Sequence, residues 1–579
     1  MCGIVGVVSK ERFSSQELIR ILKRLEYRGY DSFGYATNDG KCEKFVGNID
    51  ETRVAEANSC AAISHTRWAT HGGVTEQNSH PHSDCEENIH IVHNGIIENY
   101  GILRIELESK GHFFKSQTDS EVVSHYFEEK LKSMTIEKAV ESFFRDIKGE
   151  FAILLLRKND NRIYAFKRGS PLVLGLMDGI NVLSSDVYAF INKTNKAIFF
   201  NEDDFAVITD SGYIFYNISP FLKPVEKEIQ TIEYIQKEES KDRYEHYMIK
   251  EIHEQPDAAR ILINSLRFEQ AGNLEMLKEL MSKSKRIVFV ASGSSYHASL
   301  FGAYFLTKAG IEAHTVIASE FRTFTLLDKN TLVIAVSQSG ETMDVIEALH
   351  GIKALGVKIA SLVNTPYSTV QRMSNISINI MAGQEVCVAA TKTFTNQVIL
   401  LAYIAHMFGY DFNIDNIPEK MKSVFEQEDQ IKQLAKKLKD RKDIYIIGRG
   451  YTYPVARETA LKLKEISYIH AEGMMAGELK HGTLALIEQG VPVISLIPKD
   501  DNAILSNTKE IETREGHIIA ITNNPDVDYP DKFIIKTDYE LHFCILSNMI
   551  GQLLTYYIAK EKELPIDRPR NLAKSVTVK

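Results

Sequence analysis

The sequence predicts a multidomain α/β protein whose larger, C-terminal part is a tandem pair of doubly wound α/β subdomains. The chain has 579 residues, whereas one ordinary domain takes about 100–200 residues. Apolar runs alternate with helix-like segments, the pattern of parallel strands that are buried on both faces. In addition, one strand–turn–helix pattern occurs twice, at a spacing of about 159 residues.

The repeat consists of pairs of segments in the same order. Each segment is an apolar run followed by turn residues, and the pairs are 286–295 with 443–452, 332–340 with 492–500, and the runs that end at Pro366 and Pro525. We therefore predict one subdomain over 258–420 and a second over 421–565. The tail, 566–579, shows no helix or strand period and has the character of a frayed terminus.

The N-terminal part, residues 2–225, alternates strand-like and helix-like runs. A hairpin is predicted from strands at 151–156 and 162–166, because the residues between them are turn formers. Residues 226–257 are rich in charge and free of glycine. They favour a linker that becomes helical near its end.

Composition restricts the class of function. A net charge of −9 with 44% hydrophobic residues is typical of a globular protein and offers no basic surface to nucleic acid. No apolar run approaches the roughly 18–20 residues that span a bilayer, and the N-terminus lacks the basic segment of a signal peptide. The six cysteines show no paired spacing, which favours free thiols in a reducing, cytoplasmic setting.

Cys2 is the first candidate for chemistry. Removal of Met1 would leave a thiol and an α-amine on one residue, and an amine with a pKa of about 7.7–8.0 can serve as the base for that thiol. A cysteine at this position is more often an ordinary residue of an apolar strand. The functional interpretation therefore depends on other segments.

Later segments suit the chemistry of an amide substrate. Residues 66–72 (TRWATHG) place a guanidinium beside hydroxyl and indole groups, which suits an amino-acid carboxylate. Asn94 and Gly95 follow an apolar run and offer the two N–H donors of an oxyanion hole. Asp119 opens a helix-like run, where a plain N-cap explains it equally well.

A zinc site is the alternative for this region, because several histidines lie near Cys60 and Cys85. They are His65, His71, His80, His82, His90 and His93. Zinc sites usually show C-x₂₋₄-C or H-x₃₋₅-H pairs. His-Pro-His and scattered single histidines fit that pattern poorly, so we expect no metal.

Two polar turns of the first subdomain suit a phosphorylated ligand. Residues 292–295 (SGSS) and 337–342 (SQSGET) each follow an apolar run and precede a helix-like run. Hydroxyls and backbone N–H groups at a helix start bind anions. Either turn alone is better explained as a capped helix start, but two at one edge of a parallel sheet favour a small phosphorylated ligand.

Charged residues complete the candidates. Lys462 and Glu465 are three residues apart and share a helix face, where a surface ion pair is the simplest interpretation. Lys574 lies in the tail, and most such tails are idle.

The N-terminal motifs together resemble those of the class II glutamine amidotransferases. They are CGIVG from Cys2, YRGYDS at 27–32, TRWATHG, HPH at 80–82, HNGIIENY at 93–100 and TDSE at 118–121. The resemblance implies an N-terminal-nucleophile hydrolase fold, an αββα sandwich, that hydrolyses L-glutamine. Cys2 would be the nucleophile and Asn94 and Gly95 the oxyanion hole. The glutamine-binding residues would be Arg67, Trp68, Thr70, His71, His80 and Asp119.

The C-terminal motifs resemble the paired sugar isomerase (SIS) domains of the glucosamine-6-phosphate synthase family. They are ALKLKEIS at 460–467, GELKHG at 477–482 and PRNLAKSVTV at 569–578, and the similarity covers nearly the whole chain. It implies conversion of D-fructose 6-phosphate and L-glutamine to D-glucosamine 6-phosphate and L-glutamate, the first step of UDP-N-acetylglucosamine synthesis. The family needs no metal or organic cofactor.

The same resemblance implies residue roles. Lys574 would form a Schiff base with the sugar, which requires the neutral amine that a nearby Lys462 would favour. Glu465 would move a proton between C1 and C2, and His481, reaching in from the partner of a homodimer, would open the ring. The residues around the sugar phosphate would be Ser294, Ser295, Ser337, Gln338, Ser339, Thr342, Val388 and Ala573.

Several features depart from the family pattern. Phe33 stands where a small residue is usual after YDS, Ser292 where Cys is usual, and Thr483 where Pro is usual after HG. The glutaminase module also lacks the long insertion of eukaryotic members. Feedback inhibition by a nucleotide sugar is therefore not inferred.

Two alternative functions differ in kind. An amidotransferase that aminates another ketose phosphate is one, because the motifs do not fix every sugar hydroxyl. A sugar-phosphate-sensing regulator built from SIS domains is the other. It would carry a DNA-binding helix-turn-helix and a basic face, and the sequence shows neither.

Overall fold

A computed structural model describes residues 2–69, 71–232 and 240–576. Thr70, one of the predicted glutamine-binding residues, lies outside the described residues. The chain divides into two compact units, Met1–Glu238 with Ser575–Lys579, and Glu239–Lys574. All six cysteines are free. Among the described residues, no helix combines the length and the apolar character that crossing a bilayer requires.

The first unit contains two antiparallel sheets, one of eight strands and one of seven. The strands are β1 (Gly3–Ser14), β2 (Ser32–Thr37), β3 (Cys42–Val46), β4 (Asn58–Arg67), β5 (His82–Ser83), β6 (Ile89–Ile97), β7 (Gly149–Arg157), β8 (Ile163–Arg168), β9 (Val173–Met177), β10 (Ile180–Ser184), β11 (Lys196–Phe199), β12 (Asp204–Ile208), β13 (Tyr213–Asn217), β14 (Lys223–Val225) and β15 (Gln230–Thr231). The sheet orders are β15-β11-β9-β10-β1-β4-β2-β3 and β14-β13-β12-β8-β7-β6-β5.

Helices cover the outer faces of these sheets. They are α1 (Ser15–Lys23), α2 (Tyr100–Ser109), α3 (Glu121–Lys130) and α4 (Ile136–Asp146). An apolar core between the sheets joins Ile4 of β1 to Leu154 of β7. A second core packs α2, α3 and α4 on the other face of the seven-stranded sheet, with Phe127 against Phe166. Since α1 packs on β1 and β4, the layers are helix, sheet, sheet and helix, and the predicted αββα sandwich is confirmed.

The second unit contains two parallel sheets of five strands each. The first has β16 (Arg286–Ala291), β17 (His314–Ile317), β18 (Thr331–Ser337), β19 (Lys358–Val363) and β20 (Ile376–Asn379). The second has β21 (Asp443–Gly448), β22 (His470–Met475), β23 (Pro492–Ile497), β24 (His517–Thr522) and β25 (Asp531–Ile534). Their orders, β17-β16-β18-β19-β20 and β22-β21-β23-β24-β25, are the same. The duplicated α/β architecture is thereby confirmed.

Helices cover these sheets because the strands are apolar on both faces. They are α5 (Tyr247–Arg267), α6 (Ala271–Lys283), α7 (Gly293–Lys308), α8 (Phe321–Phe324), α9 (Met343–Leu349), α10 (Thr369–Met373), α11 (Lys392–His406), α12 (Ile417–Phe425), α13 (Glu428–Leu438), α14 (Tyr453–Lys462), α15 (Asn502–Glu512) and α16 (Glu540–Glu561). One core runs from the first sheet to the second and includes α16. The first turn of α5, inside the predicted linker, contributes Met248 to it.

Candidate active sites

Cys2 lies where β1 begins, beside the end of β4. The two strands pair antiparallel with Gly3 opposite Thr66, and this register brings the cysteine next to the TRWATHG segment. The backbone N–H of Trp68 donates a hydrogen bond to Cys2 Sγ at 3.3 Å. This contact fixes the sulfur beside the TRWATHG segment.

One pocket surrounds this thiol. It is lined by Cys2, Arg67, Trp68, His71, His80, His93, Asn94, Gly95, Thr118, Asp119 and Ser120. Every glutaminase residue that the sequence predicts and the structure describes is in this set. His93, Thr118 and Ser120 were not predicted. The sequence could have indicated these three residues, because each lies next to a predicted residue or within a quoted motif.

The predicted oxyanion residues lie inside β6, not after it as the sequence analysis expected. The Asn94 side-chain N–H donates to Cys2 O at 2.9 Å, and Asn94 Oδ1 lies 3.2 Å from His65 Nε2. These two contacts turn the amide donor toward Cys2. Gly95 has a φ of +123°, and a Cβ there would lie 2.0 Å from Glu150 O. The backbone at this point therefore requires glycine.

Arg67 and Asp119 place opposite charges in the pocket. Arg67 donates to the carbonyls of Gly72 and Gly73, at 3.3 and 3.1 Å, and thereby shapes the turn after β4. Asp119 is buried and accepts a hydrogen bond from Ile97 N at 2.8 Å. The N-cap of α3 is Ser120, so the alternative explanation of Asp119 as an N-cap is wrong. A cation and an anion in one pocket suit a zwitterionic amino acid.

The histidines beside the pocket form a buried, neutral group. The rings of His65 and His80 stack with centroids 4.0 Å apart, and His82 meets His80 edge to face. Burial lowers the pKa of His65 to about 3 and holds the pKa values of His80 and His82 well below the usual range. Phe33, the departure noted above, is buried nearby and stacks on Phe45.

The second unit holds a network of buried charges around Lys462. Lys462 Nζ lies 3.2 Å from Glu458 and 2.5 Å from Glu465. Ser294 Oγ, from the first turn of α7, donates to Glu458 at 2.8 Å, and His297 Nδ1 lies 2.8 Å from the same carboxylate. Lys462 and Glu458 are almost fully buried, so the interpretation of Lys462 as part of a surface ion pair is wrong.

Sequence analysis missed Glu458, although its i, i+4 spacing to Lys462 was a signal. Burial alone would raise the pKa of Glu458, but the Lys462 ammonium and a hydrogen bond with His297 lower it to about 2. Glu458 and Glu465 together outweigh burial at Lys462 and raise the pKa of its ammonium. Glu465 lies on a π-helical turn, Leu463–Ser467, that follows α14. Burial raises the pKa of Glu465 despite the attraction of Lys462.

Lys574 of the tail pairs with Glu385, another residue that sequence analysis missed. The two side chains are buried and form a salt bridge. Thr393 Oγ1 also donates to Glu385, at 2.6 Å. Burial raises the pKa of Glu385, but Lys574 and Thr393 outweigh it and lower it to about 2. Lys462 was expected to favour the neutral amine of Lys574. Its ammonium forms salt bridges with Glu458 and Glu465, so any such effect is not a direct contact.

The segment around Val388 fastens the tail. Val388 N donates to Asp567 O at 3.1 Å, and Arg570 N donates to the Tyr468 hydroxyl at 2.8 Å. Ala573 is half-buried. Residues 566–574 of the tail therefore have fixed partners in spite of their irregular backbone, and this part is not the frayed end that its sequence suggests. His481 ends a short 3-10 helix and is exposed.

The SQSGET turn lies between the end of β18 and the start of α9. Ser337 Oγ accepts from Gly340 N at 3.0 Å and lies 3.3 Å from Thr342 Oγ1, while Ser339 Oγ accepts from Glu341 N at 3.1 Å. Gln338 O accepts from Asn364 N. Ser295, at the neighbouring strand end, accepts from Gln397 at 3.0 Å. Both predicted turns thus occupy one edge of the first sheet, as expected from parallel strands.

The same edge of the second sheet has a different lining. A cavity of about 610 Å³ there is lined in part by Arg449, Lys499, Asp500, Asp501 and Asp538. None of the predicted site residues lines it.

Comparisons with known proteins identify a domain of each kind in the chain. A family model for the glutamine amidotransferase domain matches residues 65–192, and one for the SIS domain matches residues 280–407 and 437–559. The glutamine–fructose-6-phosphate aminotransferase [isomerizing] of Thermococcus kodakarensis is 39% identical over 610 aligned positions, covering all of both chains. That of Methanothermobacter thermautotrophicus is 40% identical, again over the full length of both chains.

Solved structures resemble the second unit. The C-terminal domain of glucosamine-fructose-6-phosphate aminotransferase from Francisella tularensis aligns with 57% of this chain and 100% of its own, at 34% identity and a TM-score of 0.52. Tagatose-6-phosphate ketose/aldose isomerase from Escherichia coli aligns with 56% of this chain and 95% of its own, at 16% identity and a TM-score of 0.51, a likeness of fold alone. On its full-length identity to the curated relatives, the chain belongs to the isomerising glutamine–fructose-6-phosphate aminotransferase family.

Proposed function

We propose that the chain converts D-fructose 6-phosphate and L-glutamine to D-glucosamine 6-phosphate and L-glutamate. The observation that carries the proposal is the charge network of the second unit. The Lys462–Glu465 pair adjoins Ser294 at the strand edge that carries the SQSGET turn. The tail lysine Lys574 pairs with Glu385, and its charge acts on Glu465. A ketose-to-aldose isomerisation with amination needs these groups: an amine, an acid–base carboxylate and an anion cradle.

The first unit supplies ammonia. Cys2, with Met1 removed, attacks the glutamine amide, and its own α-amine receives the thiol proton. Asn94 and Gly95 donate hydrogen bonds to the tetrahedral oxyanion. Arg67 binds the α-carboxylate and Asp119 the α-ammonium, with Trp68, Thr70, His71 and His80 around the substrate. The collapse of the intermediate releases ammonia, and water then hydrolyses the thioester to glutamate.

The second unit consumes that ammonia. Fructose 6-phosphate binds with its phosphate at Ser337, Gln338, Ser339 and Thr342, and with its sugar near Ser294, Ser295, Val388 and Ala573. Because the SQSGET turn has no cationic side chain, hydroxyls and backbone N–H groups hold the phosphate. His481 of the neighbouring subunit in a homodimer opens the ring. The exposure of His481 in the single chain supports that role.

Lys574 then attacks the C2 carbonyl with loss of water. The amine must be neutral, and Glu385, in contact with Nζ, is positioned to receive the ammonium proton. Glu385 is ionised because the Lys574 ammonium lies against it. Once Lys574 is neutral, burial raises the pKa of the Glu385 carboxyl group, so Glu385 retains the proton. Ammonia displaces the lysine from C2.

Glu465 completes the isomerisation. It removes a proton from C1 and returns one to C2, so that C1 becomes the aldehyde carbon and C2 carries the amine. Burial raises the pKa of Glu465, which suits a carboxyl group that must both accept and donate a proton near neutral pH. Lys462, bonded to Glu465, holds its orientation.

These roles divide the chain into functional segments. We assign glutamine hydrolysis to residues 2–225. We keep 226–257 as the linker segment, although β15 within it pairs with β11 of the first unit and the start of α5 packs in the core of the second. The first SIS subdomain is 258–420, the second is 421–565, and 566–579 is the catalytic tail.

Product analysis tests the proposal. The full-length protein is incubated with L-glutamine and fructose 6-phosphate, and the products are identified by mass spectrometry. We expect glucosamine 6-phosphate and glutamate in equal amounts. A panel of other ketose phosphates serves as the comparison, and faster amination of any of them would assign a different acceptor.

A further inference from the structure

A cluster of metal-ligating side chains lies in the first unit, outside the residues that line the Cys2 pocket. It consists of Cys85, His112, His125 and Glu128, whose nearest ligand atoms all lie within 4.8 Å of one another. We propose that these residues form a closed structural Zn²⁺ site. The site goes beyond the proposed function, because no step of the reaction passes through it.

The ligand atoms converge on one point. Cys85 Sγ lies 3.5 Å from His125 Nδ1 and 3.8 Å from His112 Nδ1. Glu128 Oε2 lies 2.8 Å from His112 Nδ1 and 3.0 Å from His125 Nδ1. Tetrahedral zinc with bonds of about 2.0–2.3 Å separates its ligand atoms by roughly 3.3–3.6 Å. Shifts of a few tenths of an ångström in these four contacts therefore accommodate the ion.

Hydrogen bonding alone explains the cluster poorly. Glu128 Oε2 is approached by both histidine Nδ1 atoms and also by Cys85 N, at 3.2 Å. A carboxylate oxygen has about two lone pairs, so three nitrogen atoms within 3.2 Å outnumber the hydrogen bonds that it can accept. With zinc bound, both Nδ1 atoms and the oxygen become ligands and the crowding disappears. The Cys85 thiol gives up its proton on binding, and the thiolate is the form that coordinates zinc.

Outer carboxylates fit the same assignment. His112 Nε2 lies within hydrogen-bond distance of Glu129, at 3.2 Å. His125 Nε2 faces Glu121 at 3.7 Å, which is an ion-pair distance and too long for a hydrogen bond. Metal-bound histidines usually donate their second ring N–H to a carboxylate, which fixes the ring. Glu121 is itself held, since it accepts from Lys115 N at 2.7 Å. The imidazole rings are buried, as expected of a structural site and not of an open catalytic one.

The chain topology explains why the sequence did not show this site. Cys85 comes from the connection between β5 and β6, His112 from the connection after α2, and His125 and Glu128 from α3. His112 and His125 are 27 and 40 positions from Cys85, far from any compact zinc spacing. Bound zinc would join the connection before β6, the strand that carries Asn94, to the helix that follows Asp119. Its expected effect is on the stability of the first unit.

Metal analysis tests the site. The full-length chain, made without a polyhistidine tag and in a Cys2→Ala background that removes the pocket thiol as a competing ligand, is loaded with ZnCl₂ and dialysed. Mass-spectrometric metal counting should give about one zinc per chain. A Cys85→Ser variant should lose most of it, whereas the matched Cys60→Ser variant should retain it. Chelation should lower the Tm of the first unit by roughly 5–10 °C.

Cobalt and thiol chemistry protect the test against misfolded variants. In the Cys60→Ser chain, Co²⁺ should give a sulfur-to-metal charge-transfer absorption, and zinc should slow alkylation of Cys85, located by peptide mapping. Three results would overturn the proposal: no retained zinc, equal zinc in Cys85→Ser and Cys60→Ser, or alkylation of Cys85 that ignores zinc.

Discussion

The two candidate active sites respond to burial in opposite ways. Around Cys2, burial keeps side chains neutral: His65, His80, His82 and His93 all have lowered pKa values, with burial as the main cause. At two carboxylates of the second unit pairing overcomes burial, although burial still raises the pKa of Glu465. Glu385 and Glu458 are ionised because Lys574 and Lys462 lie against them.

This difference follows the chemistry that each site is proposed to perform. Amide hydrolysis creates one short-lived oxyanion, so neutral, fixed donors suffice. Isomerisation moves protons between carbon atoms and between side chains, so it needs groups whose charges change in place. The comparison predicts that substitutions in the two units have separable effects.

The largest effect is expected at Cys2. Cys2→Ala removes the nucleophile, so glutamine-dependent synthesis should fall by at least about 10³-fold. Conversion of fructose 6-phosphate to glucose 6-phosphate by the second unit should continue at the wild-type rate. Amino-sugar formation from glutamine at the wild-type rate in this variant would remove the glutaminase assignment.

The next effect concerns the partner of Lys574. Glu385→Gln leaves the lysine without its carboxylate, and synthesis should fall by about 10²-fold or more, with glutaminase activity retained. Glu251→Gln is the matched control. Burial and the neighbouring Glu385 raise the pKa of Glu251 to about 8, so it is already neutral at pH 7 and an amide replaces it closely. Equal losses in the two variants would contradict the ion-pair role.

Acid should destabilise the first unit at a higher pH than the second. The folded-state pKa of His65 is about 3, below its unfolded value of about 6.5. The unfolded state thus binds more protons between these values, and stability falls as pH decreases through this window. At pH 5 this one ring costs about 2 kcal/mol relative to pH 6.5. His80, His82 and His93 act in the same direction.

Other groups do not cancel this trend. In the first unit, Glu121 and Glu128 outweigh burial and raise the pKa of His125. This is one ring against five, because burial also lowers the pKa of His90, to about 4. In the second unit, Glu385 and Glu458 have lowered pKa values, so their contribution to the free energy of unfolding is lost only below about pH 4.5. Glu251 has a raised pKa, so its contribution increases as the pH falls toward about 4.5. Trp68 is the only tryptophan, so its fluorescence follows the first unit. As the pH is lowered from 6.5 to 5, the fluorescence of Trp68 should change before isomerase activity is lost. Loss of isomerase activity before the fluorescence change would contradict the proposed difference between the two units.

The smallest effect is expected at the SQSGET turn, which is compared with the corresponding edge of the second parallel sheet. Thr342→Val removes one hydroxyl without changing the shape of the side chain, so KM for fructose 6-phosphate should rise about 3–10-fold with kcat nearly unchanged. Asp500→Ala alters the corresponding region of the second sheet and should leave both constants unchanged. A KM effect at Asp500 instead would move the phosphate to the second subdomain.

Much of the fold was predictable from local pattern. The duplicated apolar runs predicted both parallel sheets. The strands predicted at 151–156 and 162–166 do pair as the β7–β8 hairpin, although β8 runs over Ile163–Arg168, two residues further than expected. The glutaminase pocket was predictable from short motifs because most of its residues lie in or beside them. Its exceptions are local, such as the position of Asn94 within β6.

The charge network was less predictable. Glu385 meets Lys574 across 189 positions of sequence, and its carboxylate has no motif of its own. Glu458 shows one local signal, its spacing to Lys462, but spacing does not reveal burial. Tertiary packing decides whether such a pair is a solvated surface contact or a buried one.

Transfer of labelled nitrogen tests the central claim most directly, because it follows one atom from the first site to the product of the second. The full-length protein is supplied with fructose 6-phosphate, glutamine labelled with ¹⁵N at the side-chain amide, and unlabelled ammonium. We expect glucosamine 6-phosphate that carries ¹⁵N in the wild type and no labelled amino sugar in Cys2→Ala. Labelled glutamine hydrolysed to glutamate with no ¹⁵N on any sugar would contradict it.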